Sequence, residues 1–181
     1  GFGMLFAPLA VAQDDVTGLR PLEVHFHHML QGSGQWRTPA DDIDPGDPNA
    51  VVQFGSDYTL APDRSHVIAQ IIGLTEDGRR AVYWTIYFFY NPVTDEVVSA
   101  QTGWSGAYLE GREPVLEAPL ASGDAHIFDQ THYLPDGTAS VHRHEVVVVD
   151  DRTHTTQTYS QTEAGDWEPN NFRTWTRVPG D

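Results

Sequence analysis

Histidine is the side chain through which this sequence has most to offer chemically. There are nine in 181 residues. An imidazole titrates near neutral pH, so it serves as acid, base, hydrogen-bond partner or metal ligand. His126, His132, His142 and His144 all fall within 125–149. The middle of that segment, Pro135-Asp136-Gly137, has the chemistry of a three-residue hairpin loop. Proline presets the first turn position and glycine takes the left-handed one. Such a loop pairs Leu134 with Thr138 and fixes every other pair. His132 then opposes Ser140, Gln130 opposes His142, Phe128 opposes His144, and His126 opposes Val146. These positions share one face of the hairpin. The other face opposes Asp129 to Arg143, Thr131 to Val141 and Ile127 to Glu145. An exposed Asp129–Arg143 pair is worth at most about 1 kcal/mol, but it marks the outer face. The four histidines, with Phe128 and Gln130, are therefore predicted to point inward.

A two-residue Asp136-Gly137 loop is the alternative. It slips one strand by a residue and exchanges its faces. Asp129 would then oppose His144, an acid/base dyad beside His142. Pro135 favours the first register. Inward imidazoles suit the polar wall of a ligand cavity, or a metal or haem site. His142-x-His144 has a ligand spacing, but one that is common in strands, and neither a metal nor a cofactor is assigned from it. Free imidazole titrates near pH ~6.5, so affinity for a ligand touching these residues is expected to change between about pH 5 and 8. His25 and His28 are three residues apart on a helical face and are expected on a solvated surface. His66 opens a strand, at an edge.

Other chemistries are poorly supported. There is no cysteine, which excludes thiol catalysis, thiolate zinc sites and disulfides. There is no G-x-S-x-G elbow, phosphate loop, dinucleotide fingerprint or H-E-x-x-H. The formal charge is −16, and all the basic residues are arginine. Such an acidic field repels phosphate backbones, so no nucleic-acid partner is expected.

The elements that must position the histidines are mostly strands. Leu19, Leu22, Phe26, Met29 and Leu30 recur at helical spacing over 19–30, with Thr17 as a candidate N-cap and Gly32 as the stop. Residues 38–49 form a Pro/Asp/Gly-rich loop. From Val51 onward, short strands follow one another with turn signals every 8–12 residues. There is no βαβ alternation. The expected fold is mainly β: an antiparallel up-and-down barrel of about 9–10 strands with one N-terminal helix.

One strand, 79–90, is unusually aromatic (RRAVYWTIYFFY). The Glu76-Asp77-Gly78 turn predicts Gln70 opposite Trp84, Ile68 opposite Ile86 and His66 opposite Phe88. Val82, Trp84, Ile86 and Phe88 then share one face, and Tyr83, Thr85, Tyr87 and Phe89 the other. Both faces are apolar or aromatic, so the strand is expected to be covered on both sides. One face lines the interior, with Trp84 and Phe88 as ligand-binding candidates. The other meets the helix or a partner subunit, as in a homodimer.

Gly34-Gln35-Trp36 opens the first strand, and Trp175-Thr176-Arg177 lies in the last. This pairing of chain ends resembles the signature of the calycins, the superfamily of lipocalins, fatty-acid-binding proteins and nitrobindin-like barrels. The resemblance spans roughly 19–178, with its motif residues at the two ends. It implies a barrel floor in which Trp36 stacks on Arg177, with Arg173 as the alternative. The nitrobindin-like members imply a haem held by histidine, but no motif here identifies that histidine.

Residues 1–12 (GFGMLFAPLAVA) are apolar and uncharged, and end in Ala10-Val11-Ala12. They read as the end of a secretory signal with a small-x-small cleavage site, leaving 13–181 as one barrel domain in the periplasm or outside the cell. Twelve residues are too few to span a bilayer, which takes about 20. The combined expectation is a secreted barrel that binds a small hydrophobic or amphipathic ligand through His126, Phe128, Gln130, His132, His142, His144, Trp84 and Phe88. The alternatives are an enzyme with a histidine acid/base (an isomerase, cyclase or hydratase) and a haem or metal carrier.

Overall fold

The structure is a computed structural model that describes residues 18–41, 43–44 and 46–180. The signal-like segment and Thr17 lie outside the described residues. Ten antiparallel strands form a closed barrel in simple meander order. They are β1 (Gln35–Pro39), β2 (Val51–Leu60), β3 (His66–Thr75), β4 (Arg80–Asn91), β5 (Glu96–Gly103), β6 (Tyr108–Pro114), β7 (Ala125–Tyr133), β8 (Ala139–Asp150), β9 (Thr153–Gln161) and β10 (Trp167–Arg177). Closure joins the first strand to the last, through Trp36 opposite Arg177 and Arg37 opposite Thr176. Closing the sheet removes the edges that an open meander would leave unpaired. No helix among the described residues is long and apolar enough to cross a membrane.

The predicted helix is two short ones, α1 (Pro21–His25) and α2 (His27–Leu30), broken at Phe26 with φ −102° and ψ 17°. Pro21 occupies the first turn, where its missing N–H costs nothing. Arg20 takes the capping position in place of Thr17, and the Glu23 carboxylate accepts from the Arg20 backbone N–H at 3.1 Å. The break serves packing: Leu22, Phe26 and Met29 all bury into the helix-covered end of the barrel, against Trp36, Val67, Val97 and Trp175.

The same break overturns the solvated placement of His25 and His28, which are only 7% and 8% exposed. His28 stacks near Trp36 (ring centroids 4.8 Å apart), and Trp36 meets His154 at 4.4 Å. Trp36 is 0% exposed. Its Nε1–H donates to the Met29 carbonyl at 3.0 Å. The Arg177 guanidinium carbon lies 5.9 Å from the indole centre, so Arg177 and not Arg173 is its basic neighbour. The glycine of Gly-x-Trp also has a physical reason. Gly34 has φ +67°, and a Cβ there would sit 2.3 Å from the Tyr58 carbonyl oxygen.

The hairpin of β7 and β8 has the register that the Pro135-Asp136-Gly137 loop predicts. Leu134 N–H bonds the Thr138 carbonyl at 2.9 Å, and Gly137 has φ +86°. Phe128 opposes His144, Gln130 opposes His142 and Asp129 opposes Arg143. Arg143 donates to Asp129 from Nε at 2.8 Å and from Nη2 at 2.9 Å. The slipped register, with its Asp129–His144 dyad, does not occur.

The hairpin of β3 and β4 differs from expectation. Next to the turn the predicted pairs hold: Leu74 with Arg80, Gly73 with Ala81 and Ile72 with Val82. Tyr83 is then an extra residue, and beyond it Ile71 opposes Trp84, Ile68 opposes Tyr87 and His66 opposes Phe89. A bulge changes which side chains share a face. Tyr83 and Trp84 both reach the interior, whereas Val82 is 41% exposed. The outward face of β4 is not covered by the described residues: Tyr87 and Phe89 are 39% and 44% exposed and stack on each other.

Candidate functional site

The helices fill one end of the barrel. Toward the other, the interior holds a cavity of about 660 Å³. Its apolar wall includes Phe54, Ile71, Tyr83, Trp84, Ile86, Phe88, Trp104 and Phe128. Polar groups interrupt that wall, among them Gln130, His144, Glu145, His154, Asn171 and Arg173. Alternation along each strand, together with the Tyr83 bulge, delivers these side chains to the interior.

Of the residues singled out from the sequence, Trp84, Phe88, Phe128, Gln130 and His144 line this cavity. His126, His132 and His142 belong to the same face but are not among its lining residues. Strand length explains the split. From His126 to His132 the strand advances about 20 Å. One face thus serves the helix-covered end at His126, the cavity at Phe128 and Gln130, and the open rim at His132. There His132 and His142 lie 5.3 Å apart, ring to ring.

Each polar group has a distinct electrostatic state. Gln130 is 3% exposed and donates to Ser99 Oγ at 3.0 Å, which fixes its amide. His144 stacks on Phe128 at 5.1 Å, with Nδ1 3.4 Å from Thr158 Oγ1. Its Nε2 is buried and has no hydrogen-bond partner among the described residues. Burial, helped by the neighbouring His142, lowers its pKa to about 4. Burial next to His28 lowers His154 further, to about 3. His142 is lowered too, by burial and by His132. The expected pH sensitivity of a ligand touching His144 therefore moves from the neutral range toward pH 4. At pH 7 this imidazole is neutral and offers a hydrogen bond, not a charge.

Sequence reasoning missed several cavity residues. Arg173 is the positive charge of the lining. Its guanidinium lies 4.8 Å from the Phe54 ring centre and is ion-paired with Asp41, in the loop after β1. Alternation in β10 puts Arg173 on the same face as Trp175, a signal that was available. Tyr83 was not accessible, because nothing in the sequence marks a bulge there.

A second cluster sits at the helix-covered end. His126 Nε2 is hydrogen-bonded to Glu113 Oε2, and His25 Nε2 lies 3.5 Å from Glu113 Oε1. Burial alone would raise the Glu113 pKa, but the hydrogen bonds and field of the two imidazoles outweigh it and hold the carboxyl below its ordinary range. Neither Glu113 nor the approach of His25 to His126 was anticipated.

The fold and cavity define a closed ten-stranded meander barrel with an interior pocket. No family model and no curated protein matches the sequence.

Proposed function

We propose that this protein is a calycin-like binding barrel, exported from the cytoplasm, which holds a small amphipathic molecule in its interior. The carrying observation is the cavity: about 660 Å³, rich in aromatic side chains, with the buried Nε2 of His144 left unpartnered among the described residues. That volume is within the range of small-molecule sites, about 300–1,000 Å³, and a few polar groups in an apolar wall are how such sites orient a ligand. The apolar body of the ligand would lie against Trp84, Phe88 and Phe128, with its polar end toward His144 and Arg173. The Trp36–Arg177 floor supports the calycin likeness. The Ala10-Val11-Ala12 motif supports export. Binding is favoured over acid/base catalysis because the carboxylate of the wall, Glu145, accepts from the Tyr159 hydroxyl rather than from His144, and the Glu113–His126 pair is not part of that wall.

The test is titration with N-phenyl-1-naphthylamine, an uncharged fluorescent probe with an aromatic body and one N–H, with near-UV circular dichroism to establish native packing. Saturable one-to-one binding is expected. His144→Phe should weaken it about tenfold, the equivalent of one buried hydrogen bond of about 1.4 kcal/mol. Trp84→Ala should weaken it further. Absence of saturable binding, or unchanged affinity in both variants, would refute the cavity as the site.

A further inference from the structure

The cluster at the helix-covered end has a composition and spacing that the cavity does not explain. His25 closes α1, Glu113 lies near the end of β6, and His126 near the start of β7. One ligand atom from each lies within 4.8 Å of both others. We propose that His25, Glu113 and His126 form a binding site for a divalent transition metal of the zinc class, which pins the helical plug to the rim of the barrel.

Four properties support this assignment. First, the donors are two imidazoles and one carboxylate, a set suited to zinc and its transition-metal neighbours; calcium and magnesium prefer all-oxygen shells. Second, the spacing is close to what such a metal needs. With metal–ligand bonds of about 2.0–2.1 Å in tetrahedral geometry, neighbouring ligand atoms lie roughly 3.3 Å apart. The His25–Glu113 separation of 3.5 Å already fits, and His126 would exchange its hydrogen bond to Glu113 for the metal. Third, the site is largely buried: the side chains are 3% exposed at His25, 9% at Glu113 and 15% at His126. A carboxylate shielded from water in this way attracts a dication more strongly than an exposed one does. Fourth, three protein ligands leave a fourth position for water, and His126, the least buried, gives access to it.

The metal-free cluster satisfies itself in another way. The Leu116 backbone N–H donates to His25 Nδ1 at 3.3 Å, and Nε2 faces Glu113. A metal on Nε2 would put the ring proton on Nδ1, opposite the Leu116 N–H, so the long Leu116 contact would be exchanged for a metal–nitrogen bond.

The experiment uses the full chain, stripped by chelator and titrated with Co²⁺ as a spectroscopic probe. One equivalent should produce the intense visible bands of four- or five-coordinate cobalt. Zn²⁺ should abolish them by competition and raise the thermal midpoint, since it binds the folded state alone. Glu113→Gln, which keeps shape and hydrogen bonding, should weaken Co²⁺ binding more than about tenfold, and His126→Ala should do the same. The competing histidine pair at the open rim serves as control: His132→Ala with His142→Ala should leave the bands intact. A weak, octahedral-type spectrum in the unaltered protein would overturn the assignment. So would bands that survive both Glu113→Gln and His126→Ala, or bands that vanish in the rim double variant. The cavity titration is independent of all these outcomes.

Discussion

Trp36→Ala tests whether the Gly-x-Trp signature has the structural role the geometry gives it. Trp36 is fully buried, donates to the Met29 carbonyl, and packs between His28 and His154. Truncating a buried tryptophan to alanine costs about 3–5 kcal/mol, the transfer of the ring plus the cavity it leaves. For a chain of this size each kcal/mol lowers the melting temperature by about 2–4 °C, so a central cost of about 4 kcal/mol corresponds to a fall of about 8–16 °C. Trp36→Phe separates ring from hydrogen bond. It keeps most of the packing and removes the N–H, and should cost about 1–2 kcal/mol. Urea unfolding followed by circular dichroism measures both variants, and an unchanged dependence on urea confirms that the shift in midpoint is a change in stability. A loss below about 1 kcal/mol for Trp36→Ala, the size of an ordinary point substitution, would refute the reasoning. Equal losses for the two variants would assign the whole effect to the hydrogen bond and remove the packing argument.

Gly34→Ala should destabilise by roughly 2 kcal/mol or more, because its Cβ meets backbone oxygen 2.3 Å away at a positive φ; a thermal midpoint within a degree of the unaltered protein would contradict it. Stability should fall on acidification. His144 and His154 have folded pKa values of about 4 and about 3, below the ordinary 6.5, so the unfolded chain takes up their protons first. Their contribution is complete above pH 6.5 and is lost as pH falls toward 4, by roughly 3 kcal/mol or more for each group; unfolding free energies that stay level from pH 7 to 4 would contradict this. The outer pair Asp129–Arg143 lies in solvent, so Asp129→Asn with Arg143→Gln should change stability by less than about 1 kcal/mol, and a loss above 2 would mean that the pair holds the hairpin.

What the sequence disclosed followed from local chemistry. The β7–β8 register was legible because Pro135-Asp136-Gly137 specifies one loop geometry, and that geometry fixes every pair out to Ala125 and Val147. The β3–β4 register was legible only as far as Ile72, since the Glu76-Asp77-Gly78 turn sets the near pairs and the Tyr83 bulge resets the rest. A bulge is decided by how the barrel closes and twists, and a run such as VYWTIYFFY has no residue type that marks it. The solvated reading of His25 and His28 rests on their spacing of three, which puts them on one helical face. In the fold, the helix is a plug, and its polar stripe faces other strands, where Glu113 and His154 meet it. Partners that come from β6 and β9 lie beyond any spacing argument.

The electrostatics of the interior bear on what the cavity can select. Although the chain carries a formal charge of −16, the barrel keeps its lining histidines neutral by desolvation. The guanidinium of Arg173 is already matched by Asp41. An anionic ligand would have to compete with that carboxylate and also cross an acidic surface field. Discrimination would then rest on the shape of the aromatic wall and on hydrogen bonds to neutral groups, namely His144, whose Nε2 is unpartnered, and the fixed amide of Gln130. A site of this kind rejects an analogue lacking the matching polar atom, because the buried group is then left unsatisfied at a cost of about 1–3 kcal/mol. Salt should accordingly have little effect on affinity, whereas a ligand held mainly by Arg173 would bind less tightly as ionic strength rises. Measuring the affinity of the uncharged probe and of its sulfonated analogue 1-anilinonaphthalene-8-sulfonate at low and high salt separates the two modes of recognition, and tighter binding of the sulfonate that weakens with salt would shift the polar anchor from His144 to Arg173.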